Sequence, residues 1–322
     1  MSLQIAADNS KWEQILAQPR HTTVRDKLFS EAPCISFEIF PPKTPEAEAQ
    51  LASALDDLLP LKPAFVSVTY GANGSARDSA FRTLLDLRRR GAHVLAHLTS
   101  LGHSPAELLE LVSRFHDAGI HDVLALRGDP PADPSAWREV PDELRYASEL
   151  IHLIQRTDRR FCVGAACYPE AHLECATKEE DLENLKRKVA AGAEFLITQV
   201  FFENAFYFDF VERCHRAGIT VPIVPGIMPI TNHQQIERFT RMCGSTVPRR
   251  LQLLLERYQD APEEATEVGI EHTTRQCEEL LARGAPGIHF FTLNRSRLAT
   301  RVLANLERVD LPAPAAARMA IP

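Results

Sequence analysis

Ala125-Leu126-Arg127-Gly128-Asp129-Pro130-Pro131 carries an apolar run into an arginine, a glycine, a carboxylate and a proline pair. The same event, a short β-branched or aromatic run that finishes on a polar residue, recurs at 34–40, 64–70, 93–99, 122–128, 162–168, 194–202, 221–228 and 287–293. Each run has the length and composition of a strand. Helix-period segments lie between them, at 46–58, 105–117, 180–191 and 205–216. Such alternation builds a parallel sheet, because parallel neighbours need a crossover connection. Ala118-Gly119, Gly192-Ala193 and Gly284-Ala285 stand where helix C-caps feed the next strand. The pattern predicts an α/β fold, a single (β/α)8 TIM barrel, with an open doubly wound sheet as the alternative.

Residues 31–310 are assigned to that barrel. Residues 1–30 form an N-terminal helical extension, with a helix from Lys11 to Ala17 after Asn9 and Ser10 that covers the barrel bottom or serves contacts between subunits. Residues 311–322 (LPAPAAARMAIP) have no period and read as a flexible tail.

The 43 acidic and 36 basic residues give a net charge of -7 without a dense Lys/Arg block, which argues against nucleic acid or an anionic membrane as partner. No apolar stretch approaches a membrane-spanning length and the N-terminus lacks a signal-peptide segment, so a cytoplasmic protein is expected. The 7 cysteines include no CxxC pair and are expected to be reduced and mostly buried. Neither GxGxxG at a helix start nor GxxxxGK[ST] is present, and no HExxH or strand-end His-x-His suggests a catalytic metal. A Schiff-base aldolase would want a lysine at a strand end, and Lys43 is the nearest candidate.

Side chains at the C-terminal ends of barrel strands face the active site. Glu38 lies between Phe37 and Ile39 on the face shared with Ser36. A carboxylate there is costly unless paired or protonated, so Glu38 reads either as a structural ion pair with an arginine or as a general acid with a raised pKa. Asp129 precedes a Pro-rich stretch, 130–141, longer than a βα connection needs, and reads as a site carboxylate or a turn-former. Gln199 offers an amide to a heterocycle edge or is a satisfied core amide. On the helix near 181–189, Asp181, Asn184 and Lys188 share one face flanked by Arg187, while Leu182, Leu185 and Val189 form the packing stripe. That polar face suits solvent, or ribityl hydroxyls and a pyrophosphate. His97 and Thr99 share a face of the third strand, where a lone histidine is more often structural.

Taken together, the motifs resemble the 5,10-methylenetetrahydrofolate reductase family over residues 33–305. They are Phe37-Glu38-Ile39-Phe40-Pro41-Pro42-Lys43-Thr44, Val68-Thr69-Tyr70-Gly71-Ala72-Asn73-Gly74, His97-Leu98-Thr99, Leu126-Arg127-Gly128-Asp129-Pro130-Pro131, Tyr168-Pro169-Glu170 with His172, Asp181-Leu182-Glu183-Asn184-Leu185-Lys186-Arg187-Lys188, Ile197-Thr198-Gln199, Pro225-Gly226-Ile227-Met228-Pro229, and His289-Phe290-Phe291-Thr292-Leu293-Asn294-Arg295. Their occurrence in family order makes the resemblance specific.

The resemblance implies a cytoplasmic flavoprotein oxidoreductase of one-carbon metabolism and methionine biosynthesis, a TIM barrel with FAD at the strand C-termini. NADH or NADPH reduces the flavin and leaves, then methylenetetrahydrofolate enters the same pocket and takes hydride from flavin N5. By the same implication Glu38 protonates the folate's N10 as general acid. Asp129 sits by flavin and pterin and tunes both, Gln199 hydrogen-bonds the pterin, and Arg295 helps hold the folate. FAD contacts implied by motif match are Thr69, His97, Arg127, Gly128, Asp129, Tyr146, Ala147, Tyr168, His172, Asp181, Asn184, Arg187 and Lys188. A homo-oligomer is expected by analogy.

Two departures accompany the resemblance. His233 stands where many bacterial members place an aromatic Phe that packs on nicotinamide and folate. With the chain ending at Pro322, no regulatory domain that senses S-adenosylmethionine is expected. Competing readings are a flavin-free NAD(P)H-dependent reductase of the same folate, a TIM-barrel lyase or aldolase, and a non-catalytic folate- or flavin-binding scaffold.

Overall fold

The computed structural model describes residues 21–30, 32–70, 74–129, 140, 142–157 and 160–307, with the side chains of 74–77 left out. The expected helix from Lys11 to Ala17, nearly all of the loop 130–141 and the tail 311–322 lie outside the described residues.

The strands are β1 (Cys34–Ile39), β2 (Phe65–Val68), β3 (Val94–Thr99), β4 (Asp122–Leu126), β5 (Cys162–Cys167), β6 (Phe195–Thr198), β7 (Ile223–Val224), β8 (Gly226–Ile227) and β9 (Gly287–Phe291). They form one sheet in the order β7-β6-β5-β4-β3-β2-β1-β9-β8, and every pairing is parallel. The run 221–228, expected as one strand, is two. Pro225 interrupts it because proline has no N–H for the ladder. Leu196 N donates to Pro222 O on one side and His289 N to Pro225 O on the other, so the segment hands over from β6 to β9. The sheet therefore has nine strands instead of eight, and its two ends are consecutive in sequence, which brings the barrel round on itself.

Helices fill the crossovers where expected: Pro45–Leu58, Pro105–Asp117, Lys178–Ala190 and Asn204–Arg216 match the periodic segments to within two residues at each end. Their starts are written in the chain. Ser104 and Glu107 form a capping box ahead of Pro105, and Thr44, Thr177 and Asn232 each cap with a side-chain oxygen. Each cap is worth about 1 kcal/mol. The stretch between β8 and β9 carries His233–Cys243, Arg249–Arg257 and Pro262–Ala282, and Ser296–Leu306 follows β9. No helix among the described residues is long and apolar enough to cross a membrane.

Strand alternation divides the core in two. Outward residues such as Phe37, Ile39, Val66, Leu98, Val123 and Phe290 pack under the helices. Inward residues at the strand starts, Cys34, Phe65, Leu95, Leu124, Cys162 and Phe195, meet Val24 and Leu28 of a short helix, Val24–Leu28, that plugs the barrel's N-terminal end. Asp122 anchors the plug. Its carboxylate accepts from Val24 N at 2.7 Å and faces His93 Nε2 at 2.8 Å, while Lys27 Nζ donates to Ala64 O at 2.5 Å.

Asp122→Ala is expected to leave the Val24 N–H and His93 without their acceptor and to cost about 2 kcal/mol. The change should appear as a lower urea midpoint at unchanged m-value; an unmoved midpoint would show that the plug contributes nothing to stability.

Candidate active site

Above the apolar floor the barrel interior turns polar. Ser36 on β1 and Ser67 on β2 are fully buried and both reach His289 on β9, Ser36 Oγ to Nδ1 at 2.9 Å and Ser67 Oγ to Nε2 at 3.3 Å. His289 stacks on Phe65 below it. Burial pushes its imidazole down to about 3, with His97 adding to the effect, so it is a neutral hydrogen-bonding strut.

One step higher on β1 sits Glu38, 8 % exposed, beside Ser67 and Phe291 in the register. Loss of solvent is what moves its proton affinity: burial pushes the carboxyl up to about 8, so it keeps its proton at neutral pH. The group nearest in charge is His97 on β3, whose Nε2 lies 3.7 Å from Glu38 Oε2. His97 is 5 % exposed, burial pushes it down to about 3, and its Nε2 has no hydrogen-bond partner. An orphaned buried polar nitrogen costs on the order of 1–3 kcal/mol, so it marks either strain or a waiting ligand. Among the described residues no arginine pairs with Glu38.

The rim is built by the segments that follow β4 and β5. Gly128 has φ +88°, and a Cβ there would lie 3.1 Å from Thr99 Cβ, so the chain leaves β4 along a path that would strain any other residue. Arg127, half-buried before it, grips Glu174 with both terminal nitrogens, the Nη2–Oε1 contact at 2.7 Å, and that carboxylate raises its proton affinity further. Asp129 is exposed and near enough to act electrostatically on Arg127, Tyr168 and Cys243. Tyr168, just past β5, meets the His172 ring edge-on at 4.7 Å and lies under the Lys188 ammonium at 5.4 Å.

Lys188 fixes the helix Lys178–Ala190 to the barrel by donating to Ala166 O at 2.9 Å. Burial lowers its pKa while Asp181 opposes the shift, and burial raises that of Asp181 while Lys188 opposes it. Arg187 donates to Asn184 Oδ1 at 3.0 Å, Asn184 Nδ2 reaches Cys175 Sγ at 3.5 Å, and that thiol points to Asp181 Oδ1 at 3.7 Å. The helix face expected from spacing is thus a connected polar surface turned toward the strand ends.

Other expected residues enter from separate elements. Ala147 opens the helix Ala147–Gln155, with Tyr146 before it 62 % exposed and held by a bond from its N–H to Glu149 Oε2 at 3.0 Å. Thr69 follows β2, half-buried, its N–H on Ile39 O. Gln199 follows β6, and its Oε1 accepts from Val200 N at 2.8 Å, which leaves the NH2 end for another acceptor. Arg295 is exposed at the start of Ser296–Leu306 and lines a cavity of about 20 Å³ with Phe291, Leu293, Pro229 and Thr231. Among the described residues no bond joins Thr69, Tyr146, Gln199 or Arg295 to the Arg127–Lys188 cluster.

The family model for methylenetetrahydrofolate reductase matches residues 23–307. The chain belongs to the methylenetetrahydrofolate reductase family. It is 37% identical over 273 residues to the 5,10-methylenetetrahydrofolate reductase of Pectobacterium carotovorum subsp. carotovorum, covering 84% of this chain and 89% of that one. To the enzyme of Escherichia coli (strain K12) it is 38% identical over 273 residues, 84% and 90% of the two chains. The methylenetetrahydrofolate reductase (NADH) 1 of Arabidopsis thaliana is 35% identical over 290 residues, which is 85% of this chain and 48% of the plant protein. Among solved structures, a Clostridium thermocellum protein that binds two copies of 5-methyl-5,6,7,8-tetrahydrofolic acid superposes with a TM-score of 0.58 at 17% identity, covering 86% and 95% of the chains, a likeness of fold alone.

Within this reductase-family barrel, reading the residues missed Glu174, Cys175 and His289. Glu174 had no signal, because its partner Arg127 is 47 residues away. His289 had one: Cys34, Ser36 and Glu38 alternate with apolar residues, which exposes a polar interior line that something had to satisfy.

Gly128→Ala is expected to destabilise by about 1–2 kcal/mol, from the positive φ and the Thr99 contact together. Adding Thr99→Ser, which removes Cγ2 at 3.3 Å and leaves Cβ at 3.1 Å, should recover only a fraction of the steric part. Chemical denaturation of the single and double variants checks this, and full recovery would show that φ carries no cost here.

Proposed function

We propose that this chain reduces 5,10-methylenetetrahydrofolate to 5-methyltetrahydrofolate with electrons from NADH or NADPH, using FAD in a ping-pong cycle with Glu38 as general acid. The observation that carries the reading is a carboxyl kept protonated by burial at the C-terminal end of β1, in a barrel of this family. A ring-opening reductase of a methylene-bridged amine needs an acid that is still protonated at neutral pH, and a solvent-exposed glutamate would have ionised.

The donor set fits FAD. Arg127, exposed Arg187 and Lys188 supply cations suited to a diphosphate, Asp181 and Asn184 supply polar atoms for ribityl hydroxyls, and the orphaned His97 Nε2 lies deeper among the strand ends. FAD, when bound, supplies a two-electron relay between nicotinamide and folate. Glu38 holds its proton in a dry site and releases it to N10 of the folate, leaving a carboxylate. Asp129 places a negative charge at the rim, where it acts on the ring systems bound there. Gln199 presents its NH2 end to the pterin edge, and Arg295 offers its guanidinium to the folate's carboxylates.

The folate half-reaction is expected to need protonated Glu38, so its rate should fall as pH rises through about 8. Glu38→Gln should slow that half-reaction by about 10²–10⁴-fold while the enzyme still oxidises the nicotinamide. Anaerobic stopped-flow spectra test both: a flavin band that bleaches with NADH or NADPH and returns with the folate supports the reading. Equal loss in both half-reactions would make Glu38 structural, and a colourless protein that still turns over would favour the flavin-free mechanism.

A further inference from the structure

Just past β9 two consecutive residues other than glycine, Leu293 and Asn294, take left-handed φ values of +52° and +56°. Asparagine tolerates that region far better than leucine, and such a pair persists only where its surroundings impose it. The end of β1 does so. The β1–β9 register stops at the Glu38–Phe291 pair, yet the two segments stay laced beyond it. Thr292 Oγ1 donates to Glu38 O at 2.6 Å. The Asn294 amide then takes both backbone groups of Phe40, accepting from its N–H at 2.8 Å and donating to its O at 2.9 Å. A register continued past Phe291 would put Leu293 opposite Phe40; the left-handed pair turns the backbone aside and sends a side chain to do the work of a strand.

Both laced segments carry residues assigned to the folate. Arg295 follows Asn294, and Glu38 stands two residues before Phe40. Arg295 N donates to Thr292 O at 2.9 Å, Gln50 Nε2 to Asn294 O at 3.2 Å and Ser296 Oγ to Asp57 Oδ2 at 2.6 Å, so the turn is fixed on the helix Pro45–Leu58 as well. Among the described residues the Arg295 guanidinium has no ion pair, so its reach is set by the backbone that carries it. A connection that only joined β9 to the next helix would ordinarily use residues suited to its dihedrals.

We propose that Asn294 is a positioning residue for the folate: by clamping Phe40 it fixes the span between the Arg295 guanidinium, which receives the folate's carboxylates, and the Glu38 carboxyl, which protonates N10. The inference deepens the proposed function and rests on it. A folate carries N10 at one end of its aminobenzoyl group and the glutamate carboxylates beyond the other, so a site that grips one and protonates the other must keep its two groups at a set separation. Glu38 is held in the register by strands on both sides, opposite Ser67 and Phe291, so the amide acts on the turn and through it on Arg295.

The test is rapid-mixing reoxidation of the reduced, flavin-loaded enzyme by methylenetetrahydrofolate in Asn294→Gly, Arg295→Ala and the double variant. Glycine adopts the left-handed turn without cost, so the substitution removes the amide and leaves the backbone path open. At subsaturating folate, Asn294→Gly should slow this half-reaction about 10–10²-fold, while flavin reduction by the nicotinamide stays within about twofold of native. Arg295→Ala should slow the same half-reaction, and the double variant should be no slower than Arg295→Ala, because a clamp with no guanidinium to place has nothing left to lose. Calorimetric binding of 5-methyltetrahydrofolate should weaken in the same order. Native folate kinetics in either single variant overturn the inference, as do losses that multiply in the double variant or fall equally on both half-reactions. A native enzyme whose reduced flavin the folate does not reoxidise overturns the reductase reading itself. If Asn294→Gly does not fold, Asn294→Asp decides: it keeps the acceptor for Phe40 N–H but loses the donor to Phe40 O, so its folate half-reaction should be slowed, and a native rate refutes the clamp.

Discussion

A parallel sheet has two edges, and in this chain both come to the same place. β7 pairs with β6 and β8 with β9, and the residue between them is Pro225, which has no N–H to give to either neighbour. The closure at that point is what creates an inside. Were the sheet open along β7 and β9, the inward residues of β1 would face water, and the Glu38 carboxyl would lose the desolvation that sets its proton affinity. The closing strand also leaves little room for side chains: a Cβ on Gly226 would fall 2.3 Å from Thr198 O, and its N–H already donates to Thr198 Oγ1 at 2.9 Å.

The inside is graded along its axis. At the N-terminal end Phe65, Leu95 and Phe195 are closed off by Val24 and Leu28, so water cannot enter from below. In the middle, hydroxyls and one imidazole satisfy each other and need nothing from outside. At the top stand an acid and an imidazole that do not satisfy each other. This order follows from the cost of burying polar groups: the layer farthest from solvent is apolar, the next is fully bonded, and unmet hydrogen-bonding capacity is confined to the layer that a ligand can reach.

Much of this was legible in the chain because strand and helix periods differ, and because a glutamate between Phe37 and Ile39 violates the apolar pattern of its own strand. The strand starts and the four helices followed from local periodicity and caps. The division at Pro225 was marked by the proline itself, yet the run 221–228 is apolar enough to look continuous, and the handover between partners is a long-range fact. The ambiguous helix face shows the same limit from the other side. Spacing put Asp181, Asn184 and Lys188 together, but whether they faced solvent or the strand ends depended on Ala166 O receiving Lys188, a contact across 22 residues. The Arg127–Glu174 pair was beyond reach for that reason.

The segment after β5 joins the rim into one body. Glu174 holds Arg127 from β4, Glu170 accepts the Thr246 N–H at 2.9 and 3.0 Å, and a Cβ on Gly244 would fall 2.5 Å from Leu173. Ala171, between them, takes a φ of +79°, a conformation that a non-glycine residue holds only when its surroundings impose it. The same short segment starts with Tyr168 on His172 and ends with Cys175 between Asp181 and Asn184. The polar face of the helix, the arginine after β4 and the loop beyond the helix His233–Cys243 are therefore all held by contacts to this one segment. A substitution in this segment reaches Arg127 through Glu174 and the Asp181–Asn184 face through Cys175, while Lys188 keeps its own tie to Ala166 O.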